Sequence, residues 1–248
     1  MTRNMRNLFQ INGDLMKIKV LNSGSEGNGY VIETGSEILL IECGVPAKEM
    51  LKCIGFNTSK VAGCVCSHSH EDHSKYISSY AKYGFPILMT EESRPANCRK
   101  VTTIPRMKTS RVGTFNVVPF RVPHNETECD GFYITHPEFG KLLFITDAEM
   151  CPYNMSGLGI NHLLIECNYS LDYVEMTDSN KNHVLLGHME LQTCKRFIQT
   201  VYSEDLKSIG LIHLSKRNGD PDEFRREIEA SFPSSITWIA TKHSSLEV

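Results

Sequence analysis

The 248-residue sequence has no apolar run of membrane-span length, no CxxC pair, no excess of positive charge and no internal repeat. Each absence excludes something. No stretch reads as a transmembrane helix, and the first fifteen residues lack the apolar core of a signal peptide. A cytoplasmic protein without membrane attachment is therefore expected. Nine cysteines, an odd number scattered from Cys43 to Cys194, do not suggest a disulfide framework. Cys64, Cys66 and Cys167 sit in apolar runs, where a reduced thiol packs as a small hydrophobe. A formal net charge of −3 offers no global attraction to a long polyanion. The glycine- and serine-rich stretch 22–29 lacks the Gly-Lys-Ser/Thr ending of a phosphate-binding loop and reads as a tight connection between strands. No low-complexity segment or change of composition marks a linker. One domain over 1–248 is expected, with 1–15 a loose extension before the first strand at Met16.

What is present is a run of ligand-type residues. The apolar run 61–66 reads as a short buried strand. It ends in Ser67-His68-Ser69-His70-Glu71-Asp72-His73. Alternation points His68 and His70 to one side. Imidazole nitrogen and carboxylate oxygen suit zinc and its neighbours. The bland reading is a solvated polar loop, which suits one histidine better than three histidines and a carboxylate at a strand end. The spacing lets His68 and His70 grip one metal while Asp72 and His73 face a second. Such a pair can clamp the attacking and leaving oxygens of a displacement.

His68-x-His70-x-Asp72-His73 resembles the signature of the metallo-β-lactamase superfamily, and the resemblance runs over 16–239. It implies an α/β fold, the αβ/βα four-layer sandwich with two central sheets and helices outside. The alternation of strands with helices over 46–54, 74–83, 187–201 and 221–231 fits that architecture. Strand 114–122 ends at Pro123-His124, and strand 141–145 at Thr146-Asp147. Alone, each residue would more often belong to a turn. The resemblance makes His124 the third histidine and Asp147 the metal-bridging carboxylate.

Ser23-Gly24-Ser25-x-Gly27-Asn28, followed by Leu39-Leu40-Ile41-x-Cys43-Gly44, resembles the WalJ/YycJ-like branch. So does His213-Leu214-Ser215-Lys216-x-Asn218, whose histidine there completes the second metal. That branch has Asp where this chain has Glu42. The acid lies under the metal loop and orients it, so one more methylene requires repacking around it. Gly187-His188-x-x-x-x-Thr193 resembles a ribonuclease-Z-like element whose histidine sits by the scissile phosphate. The implied set is one metal on His68, His70 and His124, a second on Asp72, His73 and His213, and Asp147 between them. Asp72 is also a candidate proton acceptor, and His188 a group that steadies phosphate or assists the leaving oxygen. Two divalent ions are implied, zinc first and manganese second.

Fold alone does not choose between lactam, thioester and phosphodiester. Asp147, the His188 element and His213 favour phosphodiester hydrolysis. The leading substrate is a cyclic nucleotide monophosphate, as in the phage anti-Pycsar family that opposes cyclic-nucleotide immune signalling. The absence of an inserted domain or basic arm favours it. A WalJ-like 5′→3′ DNA exonuclease is the alternative, and a glyoxalase-type thioester hydrolase a further one. A non-catalytic metal-binding protein stands beyond these. Ribonuclease-Z-like relatives suggest a homodimer. His136, His162, His183 and His243 read as ordinary histidines, and Tyr169 and Tyr173 as loop anchors. Lys216-Arg217 reads equally as a phosphate contact or as solvated surface.

Overall fold

The computed structural model describes residues 16–247 except 97, 176 and 180. The extension expected over 1–15 lies outside the described residues. Two seven-stranded sheets face each other. The first comprises β1 (Lys17–Asn22), β2 (Gly29–Glu33), β3 (Ile38–Ile41), β4 (Val61–Val65), β5 (Ile87–Met89), β6 (Thr102–Thr103) and β14 (Ser245–Glu247). Its order is β14-β1-β2-β3-β4-β5-β6, parallel from β3 to β6. The second comprises β7 (Ser110–Val112), β8 (Phe115–His124), β9 (Thr127–His136), β10 (Gly140–Ile145), β11 (His162–Glu166), β12 (Ser208–Ile212) and β13 (Ile236–Ile239). Its order is β13-β12-β11-β10-β9-β8-β7, parallel from β10 to β13.

The helices are α1 (Ala47–Cys53), α2 (Glu71–Ser74), α3 (Ile77–Ala81), α4 (Lys181–Gly187), α5 (Leu191–Val201) and α6 (Pro221–Ser231). The sequence dictates the layering through period-two alternation within strands that are apolar on both faces. In β3, Leu39 and Ile41 enter the core between the sheets, where they join Phe132, Leu142 and Phe144. Ile38 and Leu40 point the other way, against Met50 and Leu51 of α1 and Tyr80 of α3. Leu164 of β11 likewise faces the other sheet, while Leu163 and Ile165 pack under Ile198 of α5 and Phe224 of α6. Helix, sheet, sheet, helix is the four-layer sandwich expected, and every apolar layer is continuous.

Capping explains the two long helices. The Glu190 carboxylate accepts from Gln192 N (2.6 Å) and Thr193 N (3.0 Å). Asp220 does the same for α6 through Asp222 N (2.9 Å), with Pro221 at its first turn. Within the helix expected over 74–83 only α3 forms, since α2 ends at Ser74. Tyr76 N is drawn to Cys43 O (2.9 Å), outside the helix, which breaks the ladder there. The helix expected from 187 begins at Leu191, and α4 was not foreseen in a segment with few apolar positions. No helix among the described residues is long and apolar enough to cross a membrane.

Candidate metal centre

The carboxyl ends of the strands place the chemistry. Glu42 follows β3, the 68–73 loop follows β4, and Asp147 and His213 follow β10 and β12, while His124 and Glu166 end β8 and β11. Glu42, Asp147 and His213 turn out of their strands with φ of 69°, 45° and 52°. Left-handed backbone in non-glycine residues costs about 1–3 kcal/mol each and persists only where surroundings enforce it. His213 N is held by Ser23 Oγ (2.7 Å), and Glu42 N by Val65 O (2.8 Å).

The glycine- and serine-rich connection between β1 and β2 lies directly under the metal loop. Asn28 N donates to Asp72 O (2.7 Å), and Cys43 N to His73 O (2.7 Å). Gly44 passes so close that a Cβ there would stand 1.7 Å from Asp72 O. At Gly27, φ is +134° and a Cβ would meet Gly44 O at 2.4 Å. These glycines are fixed by backbone approach.

His68, His70 and His124 each offer a ligand atom, all within 4.8 Å of one another. Asp72, His73 and His213 form a second such group, and Asp147 joins His68 and His73 in a third. His124 Nε2 lies 3.2 Å from His70 Nδ1. His73 Nε2 lies 2.5 Å from Asp147 Oδ2 and 3.4 Å from Asp72 Oδ2. His213 Nε2 is 3.8 Å from Asp72 Oδ2. All seven residues singled out in the sequence thus stand in overlapping groups.

The donor set fits divalent cations. His124 Nδ1 donates to Gly187 O (2.6 Å), which leaves Nε2 forward. Ser67 Oγ engages His68 Nδ1 (2.9 Å), and His68 Nε2 is buried with no hydrogen-bond partner. His213 Nε2 is likewise buried and unpartnered. Buried polar atoms are rarely left so, and a divalent cation beside each would supply the missing partner. Burial and the neighbouring His73 lower the His68 pKa well below the ordinary histidine value, so it is neutral, as a ligand must be. Burial also lowers His124. Around His73 burial opposes charge, but Asp147 and Glu42 outweigh it and raise its pKa well above the ordinary range. The acid-rich half of the cluster therefore demands positive charge.

Glu42 lies beneath the loop. Its Oε2 accepts from Ser67 N (3.3 Å), and Oε1 faces His73 Nδ1 at 3.4 Å. His188 lies against Asp147 (Nδ1 to Oδ1, 3.3 Å). Sequence reasoning missed Glu166. This buried carboxylate accepts from His188 Nδ1 (2.8 Å), approaches His213 Nδ1 (3.1 Å) and accepts from Ala148 N (2.8 Å). Burial alone would lower the pKa of His188 and His213. Glu166 with Asp147 lifts that of His188 to about 10, and Asp147, Asp72 and Glu166 lift that of His213 to about 9. The signal was present, because Glu166 also ends an apolar strand.

A cleft of about 360 Å³ opens over His188 and His213 and is walled by Ser23, Glu26, Lys216 and Arg217. His183, read as ordinary, lines it too, its ring 5.4 Å from that of His188. Tyr173 is a loop anchor as expected, its hydroxyl donating to Glu223 (2.6 Å). Buried Tyr169 packs with Val174 and Val184.

No family model matches the sequence. Exodeoxyribonuclease WalJ of Streptococcus pneumoniae is 25% identical over 223 residues, 82% of each chain. Among solved structures, the metallo-β-lactamase fold protein YhfI of Bacillus subtilis superposes with a TM-score of 0.73 at 20% identity, covering 95% of this chain and 100% of its own. A diphosphatase from the PhnP family gives 0.68 at 15% identity, covering 94% and 98%. The chain has the metallo-β-lactamase fold. With the assembled donor groups, these likenesses support a metal-dependent hydrolase.

Proposed function

We propose that the protein is a two-metal phosphodiesterase, with a cyclic nucleotide monophosphate as its leading substrate. His68, His70 and His124 would hold one ion and Asp72, His73 and His213 the other, with Asp147 between. The observation that carries this reading is the position of Asp147, in reach of His68 and His73 while His188 stands against its other oxygen. Mixed nitrogen and oxygen donors suit zinc first and manganese second. Such ions, when bound, supply Lewis-acid charge to a phosphate and a nucleophile ionised near neutral pH.

The protein's own groups do the rest. Glu166 and Asp147 hold His188 through Nδ1, so Nε2 is the nitrogen left to donate to a phosphate or leaving oxygen. Asp72 keeps 25% of its side chain exposed while Asp147 keeps 3%, so Asp72 is the carboxylate placed to take a proton from water. Glu42 supports His73 from behind.

A phosphorus-centred reaction is supported by the PhnP-family and WalJ likenesses, and the His188 arrangement has no task in a glyoxalase-type thioester hydrolase. The small cleft and absent basic excess favour a cyclic nucleotide. A 5′→3′ DNA exonuclease is the second reading, favoured by the relative that spans 82% of the chain. The same proposal has a single-domain cytoplasmic enzyme working as a homodimer, which light scattering of the purified protein tests. The deciding experiment offers cyclic mononucleotides and linear DNA side by side with zinc or manganese. Rapid ring opening with DNA intact supports the first reading, and the reverse supports the second. No hydrolysis of either refutes both.

A further inference from the structure

Two anchored loops face each other across the mouth of the cleft. In the first, Gly24 N donates to Asn28 Oδ1 (2.8 Å) and Gly44 N to Asn28 O (3.0 Å), so Glu26 is presented from a fixed turn. In the second, Ser215 N donates to Asn168 O (2.9 Å), Ser170 N to Asn218 O (3.0 Å) and Asn218 N to Ser215 Oγ (3.1 Å). That loop carries Lys216 and Arg217. Among the described residues lining the cleft, these two are the only lysine and arginine. Both are engaged by acids. Lys216 Nζ lies 2.8 Å from Glu26 Oε1. Arg217 Nη1 lies 2.9 Å from Asp178 Oδ2, and its Nη2 3.7 Å from Glu175 Oε2.

We propose that Glu26 and Asp178 are specificity-determining residues, which admit a small ester with a single phosphate and turn away polyanions. The inference rests on the phosphodiesterase reading. A nucleic-acid strand is held by cationic side chains that neutralise successive phosphates. Here both cations that line the cleft already have a carboxylate. A second phosphate would have to displace that carboxylate and then lie beside it, within the screening length of its charge. A substrate with one phosphate meets no such repulsion, because its charge is taken up at the histidine groups. As exposed pairs these contacts add little to folding. Their consequence is for what can approach, the repulsive half of specificity. It also resolves the two readings of Lys216-Arg217: the pair is neither a phosphate clamp nor idle surface, but a cation pair held out of use.

The test uses the metal-loaded full chain and a fluorescein-labelled ten-nucleotide oligothymidylate with a phosphorothioate backbone, which resists cleavage. Anisotropy should show the E26Q/D178N variant binding about tenfold tighter than wild type near 50 mM salt, with the gain mostly lost near 300 mM. E229Q, which alters an acid paired with Arg225 on the outer helix α6, should bind as wild type does. Equal affinity of wild type and E26Q/D178N at low salt would overturn the proposal and leave the phosphodiesterase reading standing. Turnover of bis-p-nitrophenyl phosphate by the wild type is measured in parallel. Its absence would overturn that reading and this proposal with it.

Discussion

Glu42 Oε1 and His73 Nδ1 face each other at 3.4 Å, both fully buried, and neither atom has a hydrogen-bond partner among the described residues. The relationship is electrostatic: after Asp147, the Glu42 carboxylate is the group that raises the basicity of the buried imidazole. Glu42→Gln keeps the shape and removes the charge. Metal affinity should fall about 10–100-fold, as for loss of other carboxylates behind ligand histidines. Competition with a chromophoric chelator measures it, with circular dichroism to confirm the fold. An unchanged affinity would show that Glu42 does not support the metal loop.

His70 and His188 both pack against His124, with ring centroids 5.0 and 5.5 Å from it, yet removing them should have different consequences. His70→Ala deletes a donor from the three-histidine group, so bound metal drops and hydrolysis is abolished. His188→Ala should leave metal content intact and lower turnover about 10²–10⁴-fold, the usual worth of a positioned acid or base. Elemental analysis and turnover of bis-p-nitrophenyl phosphate separate the two. Full activity in the His70 variant would refute the metal assignment.

Much of this arrangement was legible because it repeats one sentence of chemistry: an apolar strand, then a ligand-type residue. That pattern marked His68–His73, while the resemblance to the metallo-β-lactamase superfamily picked His124, Asp147 and His213 out of the other strand ends and implied the four-layer sandwich. Glu166 obeys the pattern and was passed over, since a single acid after an apolar run has many bland explanations. His183 was illegible for another reason. It belongs to α4, a helix in a segment with little apolar periodicity, and contacts with residues distant in sequence, Asn125 among them (Nδ2 to Nδ1, 3.3 Å), bring it to the cleft. The break between α2 and α3 was hidden too, because it depends on a carbonyl at Cys43, distant in sequence.

Gly44 allows the chain beneath the metal loop to touch it. A methyl group at this position would overlap Asp72 O, at 1.7 Å, and crowd Asn28 N, at 2.6 Å. Both are backbone atoms tied to each other by a hydrogen bond, so neither can yield alone. Gly44→Ala should cost about 1–3 kcal/mol, the range for overpacking, and should move the carbonyl side of the metal loop. Thermal unfolding and metal content should therefore fall together. A variant that melts as wild type does and keeps its metals would contradict the close approach.

His162 is the clearest source of acid sensitivity away from the metal centre. It is buried at the start of β11, its Nδ1 2.9 Å from Ser208 Oγ. Burial, helped by the nearby charge of Lys207, pushes its pKa from 6.5 down to about 4. Between those values the unfolded chain binds a proton that the folded chain does not. Folding stability therefore falls as pH falls from about 6.5 toward 4, by an amount of the order of 3 kcal/mol, and this contribution levels off below. His162→Leu removes the titrating group and leaves the Ser208 hydroxyl without its partner, a loss of about 1 kcal/mol that does not depend on pH. Urea unfolding of both proteins across pH 4–7 should show the variant weaker at pH 7 and the difference closing, then reversing, as the solution is acidified. Parallel stability curves would mean that His162 takes up its proton as readily folded as unfolded.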